Sequence, residues 1–151
     1  MVLFIHMLGI AFWIGGALVA LVVDYGVKGE RPEVRVGVAR QLARVHTMVI
    51  GLGALLSTAT GVLLAMGLET SERAEAMREP RMWLMQLAGA LGGLVVLFVA
   101  LPTAVRMGGL AVTTESGEPL PAFDVYRKRL NVVTIVGWLF AVIALFAWEV
   151  L

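Results

Sequence analysis

Four stretches of this chain contain no Asp, Glu, Lys or Arg: residues 1–23, 45–68, 82–105 and 130–148. A helix needs roughly 20 predominantly apolar residues to cross the hydrocarbon core of a bilayer, and each stretch meets that length. The fold class this predicts is all-α, a four-transmembrane-helix antiparallel up-down bundle. The apolar pattern places its helices over residues 1–24, 42–68, 81–107 and 126–150. A soluble domain is about a quarter charged, whereas only 15% of these 151 residues are, and the charges fall between the apolar stretches. Four spans leave roughly 60 residues outside the core, too few for a second domain, so residues 1–151 read as one transmembrane domain.

Composition also excludes function classes. The chain has no cysteine, which rules out disulfides, thiolate metal sites and thiol catalysis. A net charge of +1 gives no signal for nucleic acid. The first apolar stretch starts directly with Val2, Leu3 and Phe4, without the basic region of a signal peptide, and reads as a mature membrane helix.

Taking the side of the N-terminus as the first side, the second side holds Lys28, Arg31, Arg35, Arg40, Arg44, Arg106, Arg127, Lys128 and Arg129. The first side holds Arg73, Arg78 and Arg81. Short loops rich in Lys and Arg stay cytoplasmic, so both termini are expected outside an inner or plasma membrane. Trp83, Trp148 and Tyr25 lie near span ends, as interfacial anchors do. Residues 70–75 read as a helical turn capped by Ser71, ended by Pro80, which opens the third span. Gly108-Gly109, Ser116-Gly117, Pro119 and Pro121 read as a flexible connection.

Helices in lipid gain little from hydrophobicity against one another, so small residues mark where backbones meet. Gly53, Ser57 and Gly61 recur every four residues on the second span, and Gly89 and Gly93 on the third. Gly9, Gly16 and Ala20 share the face of His6 on the first. The fourth, with Trp138, Phe140 and Phe146, is expected to face lipid more.

Two histidines are the candidate cofactor-binding residues. His6 lies about 8 Å inside the first-side end of its span, on the face of the small residues, and is either a ligand or a neutral imidazole bonded to a neighbouring helix. His46 opens the second span at the opposite end. It is either an interfacial residue among water and phosphates or an axial ligand, with Arg40 and Arg44 pairing porphyrin carboxylates or an anionic lipid. The two should differ in depth by about 20 Å and so cannot share one iron. Met7, Met66, Met82 and Met85 lie in the same half as His6. His6 with Met82 and Met85 is the candidate metal set, because thioethers and imidazole suit Cu(I) and a Met/His pair suits haem; apolar packing is the other reading of the methionines. Gln86, Thr47, Ser57, Thr58, Thr60 and Thr134 are the remaining in-span polar groups. No embedded acidic pair, nucleophile–base pair or phosphate loop is visible, so no catalytic residue is indicated.

The string His6-Met-Leu-Gly-Ile-Ala-Phe-Trp13-Ile-Gly15-Gly16 resembles the opening of CopD-like small membrane proteins. Thr60-Gly61, Arg81-Met-Trp83 and Tyr126-Arg-Lys-Arg-Leu-Asn131 resemble their later spans. The resemblance implies copper handling. The same first-span string is similar to HemJ-type protoporphyrinogen oxidases, which would imply haem-linked porphyrin oxidation with His6 as ligand. That family has Lys four residues after the third-span Trp, where this chain has Leu87, and Asn-Glu-x-Pro where this chain has Asn131-Val132-Val133-Thr134.

The reading that follows is a small integral membrane protein binding haem b or copper through His6. The alternative is a cofactor-free accessory subunit of a larger respiratory or photosynthetic membrane complex. The partners expected are the lipid bilayer and a membrane protein or second copy of the chain. The orientation is tested by reporter fusions at residues 75 and 115, which should report opposite sides with 115 cytoplasmic; a cytoplasmic signal at 75 reverses the assignment.

Overall fold

Lipid offers no hydrogen bonds, so each crossing segment must satisfy its own backbone, and the chain does so with helices. The computed structural model describes residues 1–66, 79–110, 114 and 120–149. Its helices are α1 (Val2–Gly26), α2 (Pro32–Met66), α3 (Pro80–Leu110) and α4 (Pro121–Glu149). All four are long and apolar enough to cross a bilayer, which makes this an integral membrane protein with an all-α four-helix bundle. Around the bundle α1 packs on α2 and α4, and α3 packs on α2 and α4, so α1 and α3 lie on a diagonal. The capped turn expected over 70–75, and Ser116, Gly117 and Pro119, lie outside the described residues, as do the side chains of Trp148 and Glu149.

The helices overrun the apolar stretches at the second side. The α2 helix begins at Pro32, ten residues before the apolar pattern places it, with proline at its first turn and Glu33 beside it. Its first three turns are amphipathic, burying Val36, Ala39, Leu42 and Ala43 while Arg40 and Arg44 stay outside. The α4 helix likewise starts at Pro121 and buries Phe123 against Val36, Ala104, Met107 and Leu130. Proline suits a helix start because the N–H it lacks would have no partner there. Gly108 and Gly109, expected in a loop, are the last turn of α3; a Cβ on Gly108 would meet Ala43 Cβ at 3.0 Å, so the glycine lets α2 and α3 close up.

Two wide π-helical turns interrupt the bundle's interior helices, at His46–Ile50 in α2 and Val96–Ala100 in α3. The second has a visible cause. Pro102 has no N–H to donate, and in a regular helix its ring would meet the carbonyl of Phe98. The widened turn makes the room, and the Thr103 hydroxyl donates to the Val99 carbonyl at 2.6 Å. In α2 the Gly51 N–H reaches back to the His46 carbonyl across the wide turn.

Alanine and glycine dominate the helix contacts. Between α1 and α2 the backbones nearly touch: a Cβ on Gly53 would lie 2.7 Å from Trp13 N and 2.8 Å from Gly9 O. A Cβ on Gly9 would lie 2.7 Å from Ser57 N. Trp13 then crosses the diagonal, its indole against Gly92, where a Cβ would meet Trp13 Cη2 at 2.9 Å. On α3, Gly93 is filled by the Thr58 side chain, whereas Gly89 has only Ala144 Cβ, at 4.0 Å from an added Cβ. The expectation that α4 faces lipid more than the others does not hold. It packs along α3 as closely as α1 does along α2 and buries Leu130, Thr134, Ala141 and Ala147. Its bulky residues stand around a spine of small ones: Gly137 sits where a Cβ would meet Val96 Cγ2 at 2.8 Å.

These contacts separate two glycines of α2 and α3 sharply. Gly53→Ala is expected to lower the thermal midpoint in detergent by an amount equivalent to at least ~2 kcal/mol, because backbone atoms cannot yield to the new methyl. Gly89→Ala should leave it within ~0.5 kcal/mol of the parent. Thermal unfolding of the two variants side by side checks both.

Candidate functional site

His6 is held by α2. Its Nδ1 lies 2.9 Å from the Ser57 carbonyl and 3.1 Å from Thr60 Oγ1. A carbonyl only accepts, so Nδ1 carries the proton, and the Thr60 hydroxyl spends its own proton on the Leu56 carbonyl. In its neutral form the imidazole is therefore the Nδ1–H tautomer, with the lone pair on Nε2. Nε2 has no hydrogen-bond partner among the described residues, and the ring is half-buried. Gly61 makes the space: an added Cβ there would stand 3.2 Å from His6 Cε1. Ser57 and Thr60 are buried, so one face of α2 supplies the carbonyl, the hydroxyl and the gap that orient this ring.

His46 is different, and the expectation of an interfacial ring among water and phosphates is corrected. It is 4% exposed and points into the bundle. Nδ1 donates to the Leu42 carbonyl at 2.8 Å, and Nε2 is 2.9 Å from Thr134 Oγ1 on α4. The Thr134 hydroxyl has one proton and two acceptors to choose from, His46 Nε2 and the Leu130 carbonyl at 2.7 Å. Nδ1 of His46 is thus engaged, and Nε2 competes with the Leu130 carbonyl for the Thr134 hydroxyl proton. Arg40 and Arg44 do not join it; with Thr47 and Val105 they line an outer groove between α2 and α3. Along α2 the two imidazoles are separated by the 11 residues from His46 to Ser57, about 16 Å of helix.

The methionines take up varied positions. Met7 and Met66 are exposed, and Met82 and Met85 are half-buried. Met82 and Met85 sit on α3, diagonal to His6. Gly93, packed on Thr58, marks the depth of Ser57 on α3, and Met85 is eight residues, about 12 Å, closer to the first side. Among the described residues no group of three or more His, Asp or Glu side chains converges.

A buried ionic cluster that the charge pattern did not single out closes the second side. Asp24, 4% exposed, accepts from Arg127 Nε at 2.6 Å and from Asn131 Nδ2 at 2.6 Å, and its carbonyl accepts from Arg127 Nη2 at 3.0 Å. Arg127, Asn131 and Thr134 recur at helical spacing on α4, so one polar stripe runs from Asp24 inward to His46. The readable trace was Asp24 directly after an apolar span, with Arg127 and Asn131 four apart at the start of another. Deeper in the bundle Trp13 Nε1, Trp138 Nε1 and Thr58 Oγ1 are buried without partners among the described residues, each costing about 1–3 kcal/mol.

The class that fold and site define is thus a four-span integral membrane protein with one oriented, open imidazole and one closed one. Comparison of the chain with known protein families, with curated proteins and with solved structures finds no match.

Removing one side of the ionic cluster leaves a buried charge alone. Asp24→Asn is expected to destabilise the protein by ~3 kcal/mol, because Arg127 keeps its charge without a carboxylate. The double variant Asp24→Leu/Arg127→Met should recover most of that loss. Thermal unfolding in detergent reads both, and a double variant no better than the single one would show that the pair is not the source.

Proposed function

We propose that this protein binds a haem or a copper ion through His6 Nε2, as a CopD-like membrane protein whose second side is cytoplasmic. The observation that carries the reading is the locked tautomer: the Nδ1–H of His6 is fixed on the Ser57 carbonyl, and Nε2 keeps a free lone pair. Ligating histidines are oriented in this way, with the far N–H tied to a carbonyl or carboxylate that sets the ring's direction and raises its basicity. The chemistry fits both groups, since imidazole serves haem iron and copper alike. The His6-to-Gly16 string that resembles CopD-like proteins begins at this same residue. His46 is read as a structural cross-link between α2 and α4, its Nδ1 spent on the Leu42 carbonyl and its Nε2 facing the Thr134 hydroxyl.

The test is metal and haem content per protein, with a visible spectrum, for the parent, His6→Ala and His46→Ala. A Soret band or stoichiometric copper is expected in the parent and in folded His46→Ala, and not in His6→Ala. Loss confined to His46→Ala would move the ligand to the second side. A parent with neither metal nor haem would remove the cofactor and leave the accessory-subunit reading.

A further inference from the structure

At the second side, the end of α1 and the starts of α2 and α4 enclose a cleft of about 580 Å³. Four cations and two carboxylates line it, and both carboxylates are already taken. Asp24 is held by Arg127 at 2.6 Å and Asp124 by Arg35 at 3.1 Å. Lys28 and Lys128 have no carboxylate within ion-pair distance among the described residues. Lys28 Nζ is set over the Tyr25 ring, 4.4 Å from its centroid, at the level where aromatic anchors meet headgroups. Arg35 beside them spends its Nη2 on Asp124. Among the described residues the cleft is left with two ammonium groups that no carboxylate compensates. An anion with several acceptor oxygens engages both, and a charged N–H to phosphate oxygen is among the stronger hydrogen bonds available.

We propose that this cleft binds the phosphate of an anionic lipid headgroup, with Lys28 and Lys128 as its donors. A lipid suits the place as well as the charge. The cleft opens at the end of two membrane-spanning helices, and the exposed Val132 on its wall lies where an acyl chain would begin its descent. Basic pockets between spans at the cytoplasmic end are a recurrent form of headgroup recognition. The site is separate from His6 and stands or falls without it.

The experiment is native mass spectrometry of the full chain in detergent with phosphatidylglycerol or phosphatidylcholine. One bound phosphatidylglycerol in clear preference to phosphatidylcholine is expected. Each lysine near the headgroup contributes about fivefold, so Lys28→Gln/Lys128→Gln should cut the preference by about 25-fold. Both lysines are exposed, so the fold should persist, and an unchanged thermal midpoint checks this. Arg40→Gln/Arg44→Gln removes equal charge from the other groove and should leave the preference intact. Equal loss in the two double variants would mean only a general basic field and would overturn the site, as would no lipid preference in the parent. Displacement of the lipid by millimolar inorganic phosphate would overturn the lipid as the source of the phosphate.

Discussion

The near-contact of the Gly9 and Gly53 backbones is the constraint on which the rest of the bundle depends. In lipid there is no hydrophobic drive to bring helices together, so association rests on how closely backbones approach. Here the atoms that an added Cβ would strike are Trp13 N, Gly9 O and Ser57 N, which belong to the helices themselves. That differs from Gly51, where the nearest obstacle is the flexible tip of Leu101. His6 and Trp13 lie three residues before and four after Gly9, on the same side of α1. Once Gly9 meets Gly53, His6 is pressed onto the Ser57 carbonyl and Trp13 is carried across to Gly92. One close contact thus sets both the orientation of the candidate ligand and the filling of the diagonal.

The polar groups then divide the molecule by depth. At the second side, Asp24, Arg127 and Asn131 fix the rotation of α4 about its axis relative to α1. A buried ion pair contributes little net stability, because desolvation of two charges offsets their attraction. Its effect is on alternatives: any rotation that separates the pair leaves a charge in a low-dielectric interior. Because α4 is held in that rotation, Thr134, seven residues beyond Arg127, meets His46 on α2. The inner half, around Trp13, Thr58 and Trp138, is held by shape, even with polar atoms left unsatisfied.

Much of the fold was legible because lipid imposes a simple rule on sequence: a crossing helix cannot carry many charges. That rule sees only the part of a helix inside the bilayer. It therefore missed residues 32–41 of α2 and 121–125 of α4, which are helical but polar on one face and packed on each other's neighbours through Val36 and Phe123. The prolines at the starts of α2 and α4 carried that information, as Pro80 does for α3. The site was legible only in part. The depth of His6 and its small-residue face could be read from spacing. Its tautomer could not, because that depends on a carbonyl 51 residues away. The burial of His46 depends on Thr134, 88 residues away, and the pairing of Asp24 spans 103 residues. No local pattern encodes such partners before the helices are placed.

The two histidines show how the same side chain acquires opposite roles from its neighbours. Each donates Nδ1–H to a main-chain carbonyl of α2, His6 to Ser57 from across the helix pair and His46 to Leu42 one turn back on its own helix. The difference lies in the remaining nitrogen. At His46 the α4 stripe brings a hydroxyl to Nε2, and the imidazole becomes a link between α2 and α4, with the Leu130 carbonyl competing for the same hydroxyl proton. At His6 the opposing α2 face offers Gly61, which leaves room for the Cε1–Nδ1 edge of the ring, and Thr60, whose hydroxyl also lies on the Nδ1 side. Burial alone would rank His46 as the more conspicuous residue. The count of satisfied nitrogens reverses that order, since a ligand needs a lone pair with nothing already on it. The chemistry this bundle can support is therefore located by the nitrogen that the α2 face leaves untouched rather than by depth of burial.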